Sequence, residues 1–121
     1  MVNAQEYLDQ KYPTKEERKN IEKLEVSNRS LEGSLDLRNF SNLKELDCSN
    51  NQLSSLNLSK CNLLSSLKCS NNRFINLDFD ECLELTELEC CKNQIKNKFL
   101  NFKKFPKLFS DRVKLTVNAQ E

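Results

Sequence analysis

Apolar positions along this chain recur at a fixed interval. Leu43, Leu46, Cys48 and Leu53 are followed by Leu64, Leu67, Cys69 and Phe74, and these by Leu85, Leu88, Cys90 and Ile95, each step being 21 residues. The stretches between them align as well, since Leu53, Leu56, Leu58 and Cys61 return as Phe74, Leu77, Phe79 and Cys82. A weaker copy comes first: Ile21, Leu24, Val26 and Leu31, then Leu35, Leu37 and Phe40, one residue longer through Glu32-Gly33-Ser34. Within each unit Leu46-x-Cys48 and Leu56-x-Leu58 alternate with period two, the signature of half-buried strands. Each unit therefore predicts a coil carrying two short strands. Coils of this kind stack at the inter-strand spacing of about 4.8 Å into parallel ladders, and because none buries its apolar side alone, about three are needed for stability.

A polar position is as regular as the apolar ones. Asn51, Asn72 and Asn93 each fall three residues after a first-strand cysteine, where an inward amide can satisfy backbone groups of its own and the adjacent coil. The first copy has Arg29 there instead. The pattern L-x-x-L-x-C-x-x-N-x-L resembles the leucine-rich repeat over residues 21–95, about 3.5 units. Its 21-residue unit, whose second half echoes the first, is similar to the short nested class called IRREKO repeats. The resemblance implies a β-rich α/β solenoid, a short coil stack with parallel strands. It also implies an asparagine ladder, and a non-enzymatic protein-protein interaction function exercised through the exposed strand face.

A solenoid must close its two open ends. Residues 1–20 supply a helical N-cap: Asn3 to Gln10 reads as a short helix stopped near Pro13, and Thr14-Lys15-Glu16-Glu17 has capping-box spacing for a second helix running to about Asn20. Residues 96–121 are assigned to an irregular, Phe-rich C-terminal cap and basic tail, with the period-two stretch Val113 to Val117 as a last strand. The pentapeptide Val2-Asn3-Ala4-Gln5-Glu6 returns letter for letter as Val117-Asn118-Ala119-Gln120-Glu121, an offset of 115 residues. This carries the expectation of a tandem array in which the tail links to a following module.

Charge and composition narrow the chemistry. The 121 residues contain no His and one Gly, which excludes imidazole acid-base catalysis, His metal ligation and glycine-rich phosphate loops. The net charge of +1 conceals an acidic body, 11 basic and 16 acidic residues up to Cys91, and a basic end, 8 basic and 2 acidic from Lys92. No apolar run approaches the roughly 18 residues of a membrane span. Six cysteines without a secretory leader lead to the expectation of a cytoplasmic protein with reduced thiols.

Candidate sites follow from which strand positions face outward. The inward ladders Cys48, Cys69 and Cys90, and Cys61 and Cys82, behave as small hydrophobes, and with no C-x-x-C they do not supply a zinc site. Cys91, beside inward Cys90, is the thiol expected at the surface. The partner-binding face is expected on the first strands, at Lys23, Glu25, Glu45, Asp47, Ser66, Lys68, Glu87 and Glu89, ending in the row Ser27, Ser49, Ser70 and Cys91. Second-strand positions are small and polar; Asp78 and Asp80 alone are too few ligands for calcium. Lys103, Lys104, Lys107 and Arg112 are candidates for self-association with the acidic body of another copy. The same basic stretch, with its interleaved Phe residues, is better assigned to closing the core than to nucleic acid. The sequence thus points to an unidentified protein partner or other copies of the chain, in a scaffold role without catalytic residues, metal or cofactor.

Overall fold

The computed structural model describes residues 2–94 and the backbone of residues 114–117. Its elements in chain order are β1 (Val2–Asn3), α1 (Ala4–Lys11), α2 (Lys15–Lys19), β2 (Lys23–Glu25), β3 (Leu31–Asp36), β4 (Glu45–Asp47), β5 (Gln52–Asn57), β6 (Ser66–Lys68), β7 (Glu87–Cys90) and β8 (Lys114–Val117). They form a short-coil β-solenoid in which coil one begins at Ile21, coil two at Leu43, coil three at Leu64 and coil four at Leu85. First strands make one parallel sheet, β2-β4-β6-β7-β8, and second strands another, β1-β3-β5. Leu24, Leu46, Leu67 and Leu88 stand in one row of the first sheet and are all at most 1% exposed.

The core is the space between the two sheets. Leu31, Leu35, Leu37, Leu53 and Leu58 meet the first-strand leucines there, with Phe40 and Phe74 the largest fully buried side chains. At roughly 25 cal/mol per Å² of apolar surface, each fully buried leucine contributes about 2 kcal/mol, and no single coil can shelter its own. The turns between strands are tight and repeat. Asn28, Asn50, Asn71 and Lys92 all take the left-handed conformation, with φ of 57°, 57°, 62° and 57°. Asparagine tolerates that region better than most residues, which gives the first Asn of each Asn-Asn pair its reason. The extra length of coil one lies ahead of β3 rather than at Glu32-Gly33-Ser34: Glu25 pairs with Asp47 but Glu32 already with Gln52, and at the register shift between Gly33, with φ 89°, and Ser34 the unpaired residue is Ser54 of β5.

The N-terminal end is closed as its sequence requires. Asn3 accepts from the Glu6 N–H at 3.0 Å to start α1, and Thr14 Oγ1 accepts from the Glu17 N–H at 3.1 Å to start α2. Glu17 reaches back to the Thr14 hydroxyl at 3.0 Å, where a full capping box uses the backbone N–H. Ala4 and Leu8 of α1 are wholly buried against coil one, and Tyr7 and Tyr12 pack beside them. Arg18 ties the helices together, donating to the Tyr12 carbonyl at 2.7 Å and to Asp9 at 2.6 Å, with its guanidinium 5.8 Å from the Phe40 ring centre.

Two expectations are amended. The strand that opens the chain, β1, beside β3 with Val2 opposite Leu31, has no counterpart in the sequence reading. Coil three makes a first strand but no second: residues 74–79 carry no strand. Phe79 stands where coils one and two have Leu37 and Leu58, and its bulk is flanked by Asp78, Asp80 and Glu81. At the far end β8 does pair with β7, Leu88 lying opposite Leu115 and Cys90 opposite Val117. The rest of the expected C-cap, including Lys103, Lys104, Lys107 and Arg112, lies outside the described residues.

Candidate functional site

The first-strand face is built by register alone. Lys23, Glu45, Ser66 and Glu87 form one cross-strand row, and Glu25, Asp47, Lys68 and Glu89 form the next. Side chains at alternate strand positions point the same way, so all eight expected residues lie on one surface. A shallow cavity of about 140 Å³ crosses it, lined among others by Lys23, Glu25, Glu45, Asp47 and Lys68.

Much of the charge on this surface is already engaged. The Glu25 carboxylate accepts from both the N–H and the hydroxyl of Ser27, at 3.0 and 2.9 Å. Asp47 does the same for Ser49, at 3.1 and 2.5 Å. Ser66 donates to Glu87 at 2.7 Å across the strands, and Lys23 lies 3.9 Å from Glu45. Glu25 and Asp47 thus shape the turns that end β2 and β4 as well as charging the face. The sequence signal was a carboxylate two residues before a serine, an arrangement that favours such side-chain-to-backbone turns. The pattern recurs on the second face, where Asp36, Asn57 and Asp78 accept from the N–H of Arg38, Ser59 and Asp80 at 3.1, 3.1 and 3.0 Å.

Asn51, Asn72 and Asn93 are buried to within 9% exposure. Asn72 accepts from the Leu53 N–H at 2.9 Å and donates to the carbonyls of Cys48, Cys69 and Ser70 at 3.0, 3.2 and 3.3 Å. Asn51 accepts from both Arg29 and Leu31, and Asn93 from Phe74. Arg29, at the ladder position of coil one, is exposed and stacks 5.7 Å from the Tyr7 ring centre, so the ladder ends at Asn51. A second, solvent-side contact runs beside it: Asn71 donates to Asn50 at 2.6 Å.

Cys48, Cys61, Cys69, Cys82 and Cys90 are fully buried thiols and Cys91 is half-buried. Burial pushes Cys61 up to about 11 and Cys82 and Cys90 up to about 12, and raises Cys48 and Cys69 well above the ordinary thiol value, so none of the five is a thiolate near neutral pH. The Cys91 sulfur lies 3.3 Å from the Ser70 hydroxyl. Among the described residues no group of three or more Cys, Asp or Glu is placed to hold a metal ion.

The second-strand face is more indented. One cavity of about 480 Å³ is bounded by Gln5, Ser34, Asp36, Ser55 and Asn57. Its salt bridge, Arg38 to Asp36 at 2.7 Å, keeps the Asp36 carboxyl below the usual range. Gln5 accepts from the Asp36 N–H at 2.7 Å, pinning α1 to β3. Among the described residues no helix is long and apolar enough to cross a membrane. No family model, no curated protein and no solved structure matches this chain, so the assignment of a role rests on the architecture itself.

Proposed function

We propose that this chain is a non-enzymatic protein-interaction module of the leucine-rich-repeat type, in the short 21-residue nested class, acting as a scaffold that holds a protein partner on its first-strand face. The supporting observation is the register of β2, β4, β6 and β7, which lines up two outward rows of four residues into a continuous mixed-charge surface with an acidic excess. A cavity of about 140 Å³ on that face is smaller than the roughly 300–1,000 Å³ typical of small-molecule sites, and a broad flat surface suits a protein. Six unpaired thiols favour a reducing, cytoplasmic setting. Affinity capture from cell extract tests the reading. Glu45→Lys, Asp47→Lys, Glu87→Lys and Glu89→Lys together should abolish retention of specific partners without changing oligomeric state. Retention of the same partners by the folded variant would overturn it.

A second reading is a building block that stacks on copies of itself. The observation in its favour is β8, which ends the five-stranded sheet and has β7 as its one strand neighbour among the described residues. Light scattering after size exclusion distinguishes the two. Self-stacking requires an association that is lost when residues 112–121 are deleted or when Lys103, Lys104 and Lys107 are neutralised.

A further inference from the structure

The first ladder of the solenoid runs on through β8, whereas the second stops at β5. Between coils one and two the second ladder is closed to its end: five residue pairs run from Glu32 opposite Gln52 to Asp36 opposite Asn57, and the Leu37 N–H then donates to the Asn57 carbonyl at 3.0 Å. Between coils two and three the seam starts in the same way. The Arg73 N–H donates to the Leu53 carbonyl at 2.9 Å, and the Leu53 N–H to Asn72 Oδ1 at 2.9 Å. Beyond that point it parts. Residues 74–79 form no strand, and among the backbone hydrogen bonds of the described residues none joins Leu58 to Asp78, the pair equivalent to Leu37 and Asn57.

The parting is a cleft of about 430 Å³. One wall is Leu56, Asn57 and Leu58, at the edge of β5; the other is Asp78, Asp80 and Glu81. Among the described residues that line it there is no lysine or arginine. β5 is the last strand of its sheet, and past Leu53, whose N–H and C=O are taken by Asn72 and Arg73, no backbone hydrogen bond among the described residues joins its outer edge to coil three. A peptide added to such an edge gains main-chain hydrogen bonds, and its side chains read the flanking surface. Here the flanking surface combines half-buried Leu56 with carboxylates at Asp78 and Glu81, both exposed.

We propose that this cleft binds an extended, basic peptide segment of a partner protein, added as a strand along the open edge of β5 with its lysine or arginine side chains toward Asp78 and Glu81. Main-chain pairing supplies the direction of the peptide, and the carboxylate wall selects its charge. The surface is distinct from the first-strand face and does not depend on what binds there.

The test is fluorescence anisotropy on the full chain, using a short labelled peptide of alternating lysine and valine. Saturable binding is expected. It should weaken about tenfold or more when alternate peptide nitrogens are methylated, which removes strand pairing at constant charge, and by a similar factor in Asp78→Asn/Glu81→Gln. A peptide of alternating glutamate and valine should not bind. Both substituted residues are exposed, and an unchanged circular dichroism spectrum verifies the fold. Glu45→Lys/Glu87→Lys, on the other face, should leave binding unchanged. Equal binding of the methylated peptide would reduce the interaction to bulk charge and overturn the proposal. So would absence of saturable binding. Loss in Glu45→Lys/Glu87→Lys but not in Asp78→Asn/Glu81→Gln would also overturn it, while leaving the first-strand reading standing.

Discussion

The Asn72 side chain donates to the Cys48 carbonyl at 3.0 Å, one coil back, while its oxygen holds the Leu53 N–H at 2.9 Å. One amide therefore closes the turn of its own coil and clamps the preceding one. Because these backbone groups are buried, no water replaces a lost partner.

Asn72→Ala is expected to destabilise the chain by about 2–4 kcal/mol, the cost of leaving one buried donor and several carbonyls short of partners. Urea unfolding followed by circular dichroism measures it. Asn71→Ala, which removes a solvent-side amide contact next door, should cost clearly less. Equal effects would show that the ladder position has no special weight.

Gly33 is the one residue of β3 with positive φ, 89°, and a Cβ there would meet Asn3 Nδ2 only at an ordinary 3.9 Å. Space is adequate, so the penalty of Gly33→Ala comes from the backbone. About 1–2 kcal/mol is expected, read as a lowered thermal midpoint. An unchanged midpoint would mean that the β3–β5 register shift does not require this conformation.

Cysteine titration with a disulfide reagent at mildly alkaline pH should modify a single thiol of the six in the native chain, and all six in denaturant. The native signal belongs to half-buried Cys91 and should vanish in Cys91→Ser. Early reaction of several thiols would show that the stack opens on the timescale of the assay.

The Asp36 carboxyl, hydrogen-bonded by Arg38, titrates below its ordinary value. A depressed folded pKa contributes stability that is present above the unfolded value and lost as pH falls through the folded one. Arg38→Gln should raise the Asp36 midpoint in a carboxyl NMR titration and flatten this acid limb. The partners are about half exposed, so the effect on neutral-pH stability should be small.

The coil period, both apolar ladders and the asparagine row were legible because each is fixed by a spacing repeated within the chain, and the in-register strands carry it into space. The cap of α2 was legible for the same local reason, Thr14 binding an N–H three residues on, whereas Asn3, placed inside the first helix by its sequence, stands just before it as the cap of α1. Other features depend on what lies beside a segment. Coil three has the apolar spacing of a second strand, with Leu77 and Phe79 buried as that spacing requires, yet residues 74–79 form none: inward spacing alone does not set the backbone pairing between coils. The outward positions of the first strands pair in the register their spacing implies. Among them Glu25 and Asp47 also serve their own turns, a role carried by the neighbouring serines rather than by charge.

Because Asn51, Asn72 and Asn93 occupy equivalent places, each coil presents to the next the same surface that it receives from the one before. A duplication or deletion of a whole 21-residue unit between Leu43 and Leu85 keeps every inward residue inward and every ladder partner in place. Loss of a single residue within a strand would turn its apolar side to water. Within the 21-residue part of the stack the increment that preserves both ladders is therefore a whole coil, while the 22-residue first coil takes up its added length outside the paired strand positions.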